Sequence, residues 1–115
     1  MRESTRPLLM VKSGKTGVVR LKIPVWIARM MDIKTTDWDI IERKIVEGAT
    51  IGSLFSELAA AYPEFRESIF NPETMKANEE LHVVLNDTLL QVEDIAGIKI
   101  NDGDMVTIVP VYTGG

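Results

Sequence analysis

Cysteine is missing from all 115 residues, and that gap excludes disulfides, thiolate metal sites and a cysteine nucleophile together. Any sulfur chemistry involving this chain must use sulfur supplied by another molecule. Histidine occurs once, at His82, in a stretch that reads as a strand, so no second imidazole stands at metal-ligand spacing and no metal site is expected. No apolar run approaches the roughly 18 residues of a membrane span. The N-terminal stretch, with Arg2, Glu3 and Arg6 before Pro7, lacks a signal-peptide core. The expectation is a cytoplasmic protein with no membrane partner. Positive charge is also short: 13 Lys and Arg against 17 Asp and Glu give a net charge of -4. No basic cluster is large enough to release many counterions from a phosphate backbone, so nucleic acid is not an expected partner, and a preferred protein partner would be neutral or basic.

What is present suffices for one folded body. Hydrophobic residues make up 45% of the chain and charged residues 26%, a balance that supports a single core without staples. Residues 1–17 mix charges, Pro7 and glycines with one apolar patch, Leu8 to Val11, and read as a loosely held arm or an added strand. Residues 18–115 form the domain.

From Val18 the pattern sharpens. Val19, Leu21 and Ile23 alternate with Arg20 and Lys22, the two-residue period of a half-buried strand that Pro24 ends. Asp37 to Val46 is a second strand, with Thr35-Thr36-Asp37 as turn chemistry between the two, suggesting an opening hairpin. Thr50 precedes Ile51, Leu54, Phe55 and Leu58 at helical spacing and reads as the N-cap of a helix running to about Tyr62. Pro63 ends or restarts it, Glu64 to Phe70 suits a further helical turn, and Asn71-Pro72-Glu73 closes the segment as a loop. Leu81 to Leu85 and Leu89 to Val92 pair across Asn86-Asp87, two residue types that tolerate positive φ. Asn101-Asp102-Gly103-Asp104 is the strongest turn signal and feeds Met105 to Val111, an apolar run dense enough for a central strand covered on both faces. Strand, strand, helix and further strands add up to an α+β roll: a mixed four- or five-stranded sheet with one main helix across one face, its first and last strands parallel at the centre.

The sequence then ends Tyr112-Thr113-Gly114-Gly115. Glycine has no Cβ, so a Gly-Gly tail can enter a narrow channel and offer an unhindered acyl carbon to a nucleophile. The reactive group expected here is the α-carboxylate of Gly115. Other signals weigh less. Ser13-Gly14-Lys15-Thr16 imitates the end of a phosphate-binding loop, but Leu9 stands where that motif needs a glycine. Asn101 to Asp104 lacks the register of a calcium loop. Trp26, Trp38, Met30 and Met31 either belong to the core or form a docking patch on an open sheet face. Asp87, Glu93, Asp94, Asp102 and Asp104 read as a solvated acidic rim, part of which could steer a basic partner.

Three features together resemble a known family. Glu47-Gly48-Ala49-Thr50 opens a Leu-rich helix, Leu85-Asn86-Asp87 sits at a hairpin, and Asn101 to Pro110 leads into Gly114-Gly115. Residues 18–115 are in this respect similar to the ubiquitin-like β-grasp sulfur carriers, which include the molybdopterin-synthase small subunit and the thiazole-synthesis and cysteine-synthesis carriers. The length of Phe65 to Glu80 looks most like the molybdopterin and cysteine types. The resemblance implies a protein cosubstrate and not an enzyme. An E1-like adenylating enzyme would use ATP to activate the Gly115 carboxylate, sulfide from a persulfide donor would displace AMP, and the resulting thiocarboxylate would pass its sulfur to an acceptor enzyme, first among them the molybdopterin-synthase large subunit. Gly115 would carry the chemistry, Gly114 the reach, and Thr113, Tyr112 and Val111 the docking segment, with no cofactor bound by the carrier. A cysteine or thiazole acceptor is the alternative, as is a protein modifier joined through Gly115 to a target lysine.

Overall fold

The computed structural model describes residues 16–110. Strand β1 (Thr16–Ile23) buries Val19, Leu21 and Ile23 completely and turns Val18, Arg20 and Lys22 to the other face, as its alternation predicts. A short helix, α1 (Val25–Met30), leads to β2 (Asp39–Val46), which pairs antiparallel with β1 from Ile23–Asp39 to Thr16–Val46. The main helix α2 (Ile51–Ala61) follows, then α3 (Pro63–Ser68), and a small hairpin of β3 (Phe70–Asn71) and β4 (Lys76–Ala77). Strands β5 (Leu81–Leu85) and β6 (Thr88–Leu90), a 3-10 helix (Val92–Gly97) and β7 (Met105–Pro110) complete the order. The main sheet has five strands in the order β2-β1-β7-β5-β6. Its centre is the parallel pair β1–β7, in register at Leu21–Val106, so the α+β roll expected from the sequence is the fold found.

Helix α2 lies across one face because Ile51, Leu54, Phe55, Leu58 and Ala59 form one apolar stripe. Thr50 caps it: the Thr50 hydroxyl accepts from the Ser53 amide at 3.1 Å and the Ser53 hydroxyl accepts from the Thr50 amide at 2.9 Å. Phe55 meets Phe65 and Phe70 edge-on, at 5.7 and 5.6 Å between ring centroids, which welds α3 and the small hairpin to the helix. Pro63 restarts the helix at the first position of α3, where its missing N–H is no loss.

Several sequence expectations need correction. The first two strands are antiparallel partners but not a tight hairpin, since α1 lies between them with Ile27, Ala28 and Met31 in the core. Met31 is thus buried, Trp26 and Met30 are half-buried against the core, and only Trp38 of those four is exposed. In the Asn86-Asp87 turn, Asn86 alone takes a positive φ, of 56°. Strand β6 is Thr88–Leu90, and Val92 begins the 3-10 helix that sequence periodicity did not mark. Phe70 opens β3 instead of closing a helix. Strand β7 is central, but its density of apolar residues does not reflect cover on both faces. Val106 and Ile108 are fully buried, while Met105, Thr107 and Val109 are half-buried on a face that no described element crosses.

Candidate functional site

The five residues expected to carry or frame the chemistry, Val111, Tyr112, Thr113, Gly114 and Gly115, lie outside the described residues, as does the arm at 1–15. Thr16 and Gly17, assigned to that arm from sequence, stand in β1. What the structure does supply is the mounting of the strand that leads to the tail, and its two ends differ.

The start of β7 is fixed by a closed set of hydrogen bonds. Gly103 turns the chain at φ 90°, and the Asp104 amide donates to the Asn101 carbonyl at 3.0 Å. The Asp102 carboxylate accepts from the Val18 amide at 2.8 Å, and the Gly103 amide donates to the Val18 carbonyl at 2.8 Å. Asp104 accepts from the Asn101 amide at 2.8 Å and from the Asn86 side-chain amide at 3.1 Å, while Asn86 accepts from the Met105 amide at 3.0 Å. One turn therefore clamps the beginning of β1, the β5–β6 turn and the beginning of β7. Gly17 is part of this clamp: a Cβ there would come within 2.8 Å of the Asp102 Cβ. Of the acidic rim read from sequence, Asp87 and Asp102 are exposed and Asp104 is half-buried; Asp102 and Asp104 also serve as structural acceptors.

From this clamp β7 runs the length of the sheet, antiparallel to β5, and its last described residue, Pro110, faces Leu81 at the start of β5. The chain thus leaves at the end of the sheet where β1 finishes at Ile23 and β2 begins at Asp39. Trp38 is 41% exposed, with the Lys22 ammonium 5.5 Å from its ring centroid. His82 is a half-buried residue of β5 opposite Val109, on the sheet face away from α2, as its strand setting predicts. Among the described residues no three His, Cys, Asp or Glu side chains cluster as a metal site, and no helix is long and apolar enough to cross a membrane.

The turn and the central strand stand where the sequence puts them, but Gly17, whose role depends on a residue 85 positions away in the chain (102 minus 17), leaves no local signal.

Comparisons with known proteins agree with this architecture. The ThiS family model matches residues 36–115. Sulfur carrier protein CysO of Mycobacterium tuberculosis is 32% identical over 69 residues, which span 59% of this chain and 74% of that protein. Two solved structures share the fold. Small archaeal modifier protein 1 of H. volcanii superposes with a TM-score of 0.63 at 16% identity, covering 84% of this chain and 99% of that one. A putative molybdopterin converting factor, subunit 1, from Pyrococcus furiosus superposes with a TM-score of 0.57 at 20% identity, also covering 84% and 99%.

Proposed function

This chain belongs to the ThiS family, and from that premise we propose that it is a sulfur carrier whose reactive group is the Gly115 carboxylate. The observation that carries the reading is the joining of two facts. The family match runs through residue 115, and the strand that precedes the tail in the chain is the central one of the sheet, clamped at its start by the Asn101 to Asp104 turn. A carrier of this kind needs a rigid body that a partner can grip and a narrow terminus that the partner's active site can swallow.

The chemistry follows from the tail. A carboxylate is a poor acyl donor. An E1-like partner joins the Gly115 carboxylate to the α-phosphorus of ATP with loss of pyrophosphate, giving an acyl adenylate with AMP as leaving group. Hydrosulfide, released from a persulfide donor by a thiol that leaves as a disulfide, then attacks the acyl carbon, AMP departs, and a thiocarboxylate remains. The acceptor enzyme takes the sulfur, and water returns the carboxylate. Gly114 and Gly115 pass through the partner's channel because neither has a side chain, while Val111, Tyr112 and Thr113 give the partner a short extended segment to hold. The carrier contributes no acid, base, metal or cofactor; ATP belongs to the activating enzyme.

The acceptor separates the pathways. The sequence relative is a sulfur carrier named CysO, and one fold relative is named as a molybdopterin converting factor subunit. A cysteine-forming acceptor therefore has equal standing with the molybdopterin-synthase large subunit that the resemblance put first. Incubating the full chain with ATP, sulfide and a matching E1-like activating enzyme tests the proposal. Intact mass should rise by one oxygen-to-sulfur exchange located at Gly115. An unchanged mass with an enzyme that consumes ATP on its own carrier would count against it, and a branched peptide joining Gly115 to a lysine would mark a protein modifier instead.

A further inference from the structure

Strand β2 is an edge of the main sheet, and among the described residues it pairs only with β1. It is eight residues long and carries two of the five large hydrophobic side chains that the described surface exposes, Ile40 at 48% and Val46 at 60%. Long open edges invite pairing, and charged residues on them ordinarily oppose it. Here the order of the residues is self-complementary. We propose that two copies of this chain associate through β2, antiparallel, with Arg43 facing Arg43 of the partner subunit on the two-fold axis.

In that register Ile40 lies against the second copy's Val46, Glu42 against its Lys44, and Ile41 against its Ile45, each contact made twice by symmetry. The exposed apolar ends of the strand cover each other and its two middle outward charges pair with opposite sign. Because β2 then alternates in step across the junction, the open faces of the two sheets join on one side and the helical faces on the other.

The backbone is oriented for this pairing. In β1 the even-numbered residues bond toward β7: the Val18 carbonyl accepts from Gly103 and the Arg20 amide donates to the Asp104 carbonyl. The odd residues of β1 therefore bond to β2, through the odd residues of β2 that face them. The even residues of β2 point outward, and the Ile40 amide is accordingly held by its own Asp39 carboxylate at 2.9 Å and not by a strand. Glu42 and Lys44 are left presenting amide and carbonyl to the edge, and their mutual pairing forms four backbone hydrogen bonds between copies. The opposing feature is the Arg43 pair. Each guanidinium reaches instead to its own Tyr62 hydroxyl at 3.5 Å, on the helix side. Strand β7 is separated from the junction by β1, so the two copies of Pro110 stand at opposite ends of the joined sheet.

A single strand pair buries less than a standard interface, so the association is concentration dependent. Sedimentation equilibrium of the full chain up to about 1 mM registers dissociation constants from micromolar to millimolar. The expected result is a monomer–dimer equilibrium that Lys44→Glu weakens roughly tenfold, since two attractive cross-strand pairs become repulsive. Lys44 is the clean site because its neighbour in β1 is Val18, whereas Glu42 faces Arg20. The double swap Glu42→Lys with Lys44→Glu restores the dimer, and Arg43→Thr tightens it. A chain that stays monomeric across this range, as it would if another segment covered the edge, overturns the proposal. So does a dimer that Lys44→Glu leaves unchanged, or one that the double swap fails to restore.

Discussion

The two ends of β7 are built to opposite specifications. At its start, Asp102, Gly103, Asp104, Asn86 and Val18 exchange hydrogen bonds until the turn, two strands and a second turn form one unit. At its finish, Pro110 pairs with Leu81 of β5. The motif that is easiest to see in the sequence, Asn101 to Asp104, thus lies at the far end of the strand from the proposed chemistry. It fixes where β7 begins. A signature of this kind identifies a scaffold; the proposal of a reactive group rests on the two glycines that follow in the sequence.

If the division is real, the two ends must fail differently. The largest effect belongs to the tail: removing Gly114 and Gly115 should abolish oxygen-to-sulfur exchange in the intact-mass assay while leaving the thermal unfolding midpoint unchanged. At the clamp, Gly17→Ala forces a Cβ against Asp102 and should cost about 1–3 kcal/mol in urea unfolding, as overpacking of a tight contact does. Asp102→Ala leaves the Val18 amide without its acceptor and should cost about 1–2 kcal/mol, moderated because the site is exposed. In both clamp variants the fraction that remains folded should load sulfur at the wild-type rate, which separates lost scaffold from lost chemistry. The smallest change is just before β2, where Trp38→Ala gives up an exposed cation–π contact with Lys22 of about 0.5 kcal/mol or less. A clamp variant that blocks loading while fully folded, or a tail deletion that unfolds the protein, would break the comparison.

How much of this was legible beforehand depended on how local the cause was. Thr50 as N-cap, the alternation of Val19, Leu21 and Ile23, and the turn at Asn101 to Asp104 are written in neighbouring residues, and the structure has them where periodicity and turn chemistry put them. The parallel β1–β7 pairing was reachable from element order alone. The six-residue helix α1 was not read, because one and a half turns give too few repeats to show a 3.6-residue period and Pro24 looked like an ending. The two-residue strands β3 and β4 were missed for the same reason. Gly17 was read as part of an arm because its partner is far away in the chain. The apolar density of β7 was read as double cover, although a central strand with one open face carries it equally well. At the candidate site the split is sharper still: the tail rests on residue types alone, whereas the clamp at the start of β7 is visible only when β1, β5 and β7 are seen side by side.

The central claim is that this folded body exists to present one carboxylate. The direct measurement is the C-terminal peptide of the protein isolated from the cells that make it, analysed by mass spectrometry under conditions that preserve acyl sulfur. The account predicts a chain ending at Gly115, part of it carrying sulfur in place of one carboxylate oxygen. A mature chain that continues uncleaved beyond Gly115 would contradict it.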